Sequence, residues 1–187
     1  DDYTAGNAQD SRGLDNIVRV NGDFWISNAV QDASYPRLAY VGEDVEAFNI
    51  STERIRSISM PELVDARSVR IDGRPQLTTL ALPKLATVRG DVSIDSNPAL
   101  TGVDLPSLAV VGGRLGIKQL ETATLVRLPS LADVVSLTVG DAPRVTSLDL
   151  NGLTKVQGEL HINNLPAVTG LMAPKLQQVG GGITVYG

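Results

Sequence analysis

His161 is the single histidine of this 187-residue chain, which has no cysteine. Glu159 and Asn163 flank it at two residues on either side, the period that sets three side chains on one strand face. With Thr138 and Thr184 near it, a hydroxyl–imidazole–carboxylate set for nucleophilic catalysis can be drawn. A flat sheet face offers no oxyanion hole, excludes no water and buries no orienting acid. The expected role of His161 is therefore a surface polar pair, and no catalytic residue is assigned. Asp72 and Asp95, with Asp91 near, are the best carboxylate cluster for a cation. Calcium needs about six or more oxygens converging on one point. Arg70 and Lys118 already offset these carboxylates, and the Gly-Gly-x-Gly-x-Asp calcium repeat is absent. Without cysteine there is no thiolate metal site and no disulfide framework. No metal and no cofactor are expected, and an enzyme is the least supported class.

Thr78, Thr101, Thr124, Thr146 and Thr169 recur at a regular spacing and form a third candidate array. Threonine ladders on stacked strands can bind ice when a second rank lies beside them. Here the neighbours are Thr79, Gly102, Leu125, Ser147 and Gly170, so that rank is missing. High strand propensity and stacking explain the ladder equally well. The overall charge is −5, which argues against a nucleic-acid partner, because that requires a basic stripe. No apolar run reaches the roughly 18 residues of a membrane span. Apolar residues make up 42% of the chain, enough for a core, yet aromatics are only 4%, so Leu, Val and Ile must fill it.

The elements that position these residues come from a repeat. All ten prolines fall into two series. One is Pro36, Pro61, Pro83, Pro106, Pro129 and Pro174, with Asn151 in the missing slot; the other is Pro75, Pro98, Pro143 and Pro166. Proline suits turns and strand starts, so two series mark two corners of a repeated coil. Apolar residues keep the same ~23-residue period. Leu82-Pro83-Lys84-Leu85 leads to Val88-Arg89-Gly90-Asp91-Val92-Ser93-Ile94, and Leu105-Pro106-Ser107-Leu108 leads to Val111 and Leu115-Gly116-Ile117. Within a unit they alternate, as Val92 with Ile94, which is the strand period. The expected architecture is an all-β parallel β-solenoid of about seven coils, with roughly 4.8 Å between coils. Residues 1–17 are expected to be off-repeat, a cap with a short helix started by Asn7. Residues 18–187 form the coils of one domain, and the last coil carries no lid.

The repeat predicts an outward column, Trp25, Arg70, Ser93, Gly116, Thr138, His161 and Thr184, flanked by Arg114 on one side and Tyr186 on the other. Trp, Tyr and Arg dominate interface energetics, so Trp25, Arg70, Arg114, His161 and Tyr186 are the candidate partner-binding residues. A solvated sheet, with Trp25 under the cap, is the structural alternative. The coil between Pro36 and Pro61 is two residues longer than the norm. It contains the Gly42–Phe48 stretch, which reads as a solvated acidic bulge or as an added loop that carries binding, and the second reading brings Glu43, Asp44 and Phe48 into the candidate set. Asn49-Ile50-Ser51 has the form of a glycosylation acceptor, used only in a eukaryotic secretory host.

The unit Leu-Pro-x-Leu-x-x-Val-x-Gly-x-Val/Leu-x-Ile, followed by a polar turn, resembles the receptor L-domain family. The opening Asp2-Tyr3-Thr4 through Leu14, Ile17 and Asn21-Gly22-Asp23 is similar to the N-terminal cap of its bacterial members. The resemblance implies a right-handed, leucine-rich-repeat-like β-helix, as in growth-factor receptor ectodomains, fungal cell-wall proteins and bacterial surface proteins. The chain lacks the cysteines of many eukaryotic members and the paired-domain receptor arrangement, so the bacterial cell-surface type is the nearer likeness. The expectation is a secreted or cell-surface recognition and adhesion module binding a protein or glycan through a sheet face, with no membrane insertion. An edge or end-to-end contact through the last coil is a further expected partner mode. A structural spacer is the alternative, with ice binding a distant third.

Overall fold

The structure, a computed structural model, describes residues 3–5, 14–26, 31–47 and 54–187. Among these residues there is no helix, and the paired strands run parallel. The chain is an all-β parallel solenoid, as the alternation and the repeat require. Its broad face is formed by Tyr3–Ala5, Phe24–Ile26, Asp44–Ala47, Ser68–Asp72, Val92–Asp95, the second halves of Val110–Lys118 and Asp133–Gly140, Leu160–Asn163 and Ile183–Tyr186. A short face carries Asp32–Ser34, Ser57–Ser59, Thr79–Ala81, Val103–Asp104, Leu125–Arg127, Ser147–Asp149 and a bridge at Met172, seven segments among the described residues. Two-residue strands such as Thr87–Val88 and Lys155–Val156 close the third side.

One inward column of the broad face runs Phe24, Val45, Val69, Val92, Leu115, Leu137, Leu160 and Ile183. From Phe24 to Leu160 these residues are at most 2% exposed. A single coil has no second layer to cover its apolar residues, so each is buried by the coils above and below. Phe24 and Tyr35 form an edge-on aromatic pair in the core, ring centroids 4.7 Å apart.

Both proline series sit where the sequence places them, at corners. Pro61, Pro83, Pro106 and Pro129 each follow the first residue of a β-turn, closed for example by Leu85 N–H donating to Leu82 C=O. Asn151 does the same between Leu150 and Leu153. Pro75, Pro98, Pro143 and Pro166 head the second corner, closed by bonds such as Leu100 N–H to Asn97 C=O. The fixed φ of proline is the one that position requires. Two residues before each of these prolines the backbone turns left-handed, at Gly73, Ser96, Asp141 and Asn164, with Gln119 in the coil that carries Glu121 instead. Asn97 is fully buried and ties this corner to the coil below. Its Oδ1 accepts from Arg74 N–H at 2.9 Å and its Nδ2 donates to Ile71 C=O at 2.7 Å.

Two sequence expectations need correction. Tyr3–Ala5 is not off-repeat: it pairs in parallel with Phe24–Ile26, residue for residue. The expected cap helix after Asn7 lies outside the described residues, while Leu14 and Ile17 do pack on the core. The second correction concerns Gly42–Phe48. Asp44–Ala47 is a strand of the broad face, paired with Ser68–Ile71, and not an added loop. Ala47 pairs with Ile71 across a longer stretch of chain than separates Ile58 from its partner Leu80. The added length of this coil therefore falls between Ala47 and Ile58. Phe48 and Asn49–Ser51 lie outside the described residues.

Candidate functional site

Alternation along the broad-face strands turns every second side chain outward. Pairing registers place Trp25, Arg70, Ser93, Gly116, Thr138, His161 and Thr184 in one column, as the repeat predicts. Glu46 joins it between Trp25 and Arg70, and sequence reasoning missed it. The available signal was Val45 and Ala47, an inward pair at strand spacing inside a stretch that reads as acidic.

Most charges on this face are satisfied between neighbouring coils. Arg70 lies 3.5 Å from Glu46 and 3.7 Å from Asp72. Ser93 Oγ donates to Asp72 Oδ1 at 2.7 Å, and Lys118 Nζ meets Asp95 at 2.9 Å. Asp72 and Asp95 thus stack as expected, each with its own cation. No group of three or more metal-ligating side chains occurs among the described residues. Arg67 holds Glu43 at 2.7 Å and Asp44 at 3.0 Å, and the bond to Asp44 pushes its guanidinium pKa up. Burial raises the Glu46 carboxyl above its ordinary value of 4.5, against the pull of Arg70.

Arg114 differs from these cations. Its backbone N–H donates to Asp91 Oδ1 at 2.7 Å, but no described residue bonds or pairs with its guanidinium. Two depressions open on either side of it. The upstream one, about 520 Å³, is lined by Asp44, Glu46, Arg70, Asp72, Asp91 and Ser93 among others. The downstream one, about 330 Å³, is lined by Lys118, Ser136, Thr138, Glu159 and His161. Arg114 and Gly116 line both.

The remaining candidates lie apart from this centre. Trp25 is 41% exposed on the strand next to Tyr3–Ala5, and Tyr186 is exposed on the last described strand of the face. Asn163 Nδ2 donates to the Tyr186 hydroxyl at 3.2 Å. Between them the structure brings Asp44, Arg70, Arg114 and His161 onto one continuous surface. Glu43 is engaged by Arg67 rather than by that surface. His161 Nε2 is 3.1 Å from Glu159 Oε2, an exposed pair between the strand Leu160–Asn163 and the residue just before it. On the threonine column, the Thr78, Thr101 and Thr146 hydroxyls donate to main-chain carbonyls of the preceding coil, at 3.0–3.3 Å. Compared with known proteins, the chain matches no family model, no curated protein and no solved structure.

Proposed function

We propose that this chain is a non-catalytic recognition module that binds a protein or glycan through its broad sheet face. The observation that carries the reading is the pair of polar depressions meeting at Arg114 and Gly116 on a surface of stacked strands. Stacked strands hold their outward side chains on a grid, so little ordering entropy is lost when a partner docks. Trp25 and Tyr186 add exposed aromatic surface to the same face on either side of Arg114 along the stack. The likeness of the repeat to receptor L-domains supports a place at a cell surface or in the extracellular space, in an adhesion or receptor role.

A structural spacer is the second reading, and the ion pairs that bridge successive coils favour it. Lys84–Glu62, Arg127–Asp104 and Arg67–Asp44 each tie one coil to the next and leave a satisfied surface. Binding of the protein to an array of neutral and acidic glycans and to isolated cell-surface proteins separates the two readings, run beside the double variant Ser93→Tyr/Thr138→Tyr. That variant fills both depressions with residues that suit strands. The recognition reading expects glycans or a surface protein retained by the wild type and lost by the variant. Equal retention by both, or none by either, leaves the spacer.

A further inference from the structure

We propose that the dip at Gly116 is a subsite for one carboxylate carried by an otherwise neutral, hydroxyl-rich glycan. This deepens the recognition reading and rests on it. The first observation is the glycine itself. Gly116 sits inside Val110–Lys118 without a left-handed φ, and a Cβ there would meet nothing closer than Lys118 Cε at 4.0 Å. In the same strand, a Cβ on Gly112 would run into Arg89 C=O, and one on Gly113 into the Asp91 carboxylate. Packing therefore demands two of these glycines and leaves the third unexplained by the fold. Glycine weakens a strand interior and is found where another group approaches the backbone closely.

The second observation is Arg114. It is two residues from Gly116, so both turn to the same side. Arg70 and Lys118 are engaged by carboxylates, whereas the Arg114 guanidinium is not. A guanidinium fork matches a carboxylate in two-point geometry. The surroundings limit the ligand to one such charge. Asp44, Glu46, Asp72 and Asp91 line the upstream depression and repel further anions, while accepting hydrogen bonds from sugar hydroxyls. Ser136 and Thr138 offer hydroxyls downstream. A peptide has no strand edge to extend here, because Val110–Lys118 is paired on both sides.

The test measures affinity for an oligosaccharide with one uronic acid between neutral hexoses, and for the same compound with its carboxyl reduced to the alcohol. An all-uronate oligomer and a glutamate-containing peptide complete the set. The mono-acid is expected to bind, and the reduced compound and the all-uronate oligomer to bind at least about tenfold more weakly. Arg114→Gln is expected to weaken mono-acid binding by about tenfold or more. Gly116→Val is expected to abolish it while the thermal midpoint holds or rises. Equal binding of acid and reduced compound, indifference to Arg114→Gln, or retention of the peptide alone would overturn the subsite. So would failure of every probe while the wild type still holds another partner on this face, and in that case the recognition reading survives. If the wild type holds no partner and the Ser93→Tyr/Thr138→Tyr variant behaves identically, the broader reading fails with it.

Discussion

Ile94 and Val185 hold equivalent inward positions in strands of the same pattern, Val92–Asp95 and Ile183–Tyr186, yet their fates differ. Ile94 is 0% exposed and Val185 56%. Val92 and Ile183 repeat the contrast at 2% and 60%. Chain direction, alternation and register are the same in both. The difference is the next coil. Val92–Asp95 has strands on both sides, whereas Ile183–Tyr186 pairs, among the described residues, only with Leu160–Asn163. In a solenoid, an inward-pointing side chain is only half of a buried one, and the neighbouring coil supplies the other half.

The strongest way to break this comparison is truncation at the two equivalent sites. Ile94→Ala should cost about 2–5 kcal/mol in denaturant unfolding, from lost burial plus a cavity. Val185→Ala should cost less than about 1 kcal/mol. Similar costs would mean that burial does not depend on the stack as described. A polar link between buried coils is the next largest test. Asn97→Ala leaves Ile71 C=O and Arg74 N–H without their partner and should cost about 1–3 kcal/mol, read from the same unfolding curves.

Glycines sharpen the contrast further. Gly112→Ala forces a Cβ onto Arg89 C=O of the preceding coil and should destabilise by about 1–3 kcal/mol. A Cβ on Gly182, in the last coil, meets nothing within 4 Å, so Gly182→Ala should stay within about 0.5 kcal/mol of the wild type. The smallest effect is electrostatic and belongs to Glu46 in the outward column. Burial raises the Glu46 carboxyl pKa, so the folded chain holds that proton more tightly than the unfolded one. Its contribution is therefore lost as pH rises through the carboxylate range, from about 4 upward. Glu46→Gln should gain stability relative to the wild type between about pH 4 and pH 7. A difference that does not change with pH would contradict this.

The coil was readable because its determinants are local and repeated. Pro83, Pro106 and Pro129 announce one corner and Pro75, Pro98 and Pro143 the other, and the alternation of Val92 with Ile94 announces a strand. Asp44–Ala47 was hidden by uneven spacing. The step from Phe24 to Val45 is shorter than the period and the step from Val45 to Val69 is longer, so the repeat breaks where the strand occurs. Gly116 and Arg114 were both placed in their columns, but nothing in their letters marks one as an open floor and the other as an unpaired cation.

What the amino-acid order determined alone was the winding of each coil and which side chains turn inward, because strand period and proline corners depend on residues close in sequence. Which apolar residues are sealed, which cations find a carboxylate and where the face dips were decided only by stacking. Each of these depends on side chains a full coil away in sequence, brought within contact by the parallel register of adjacent strands.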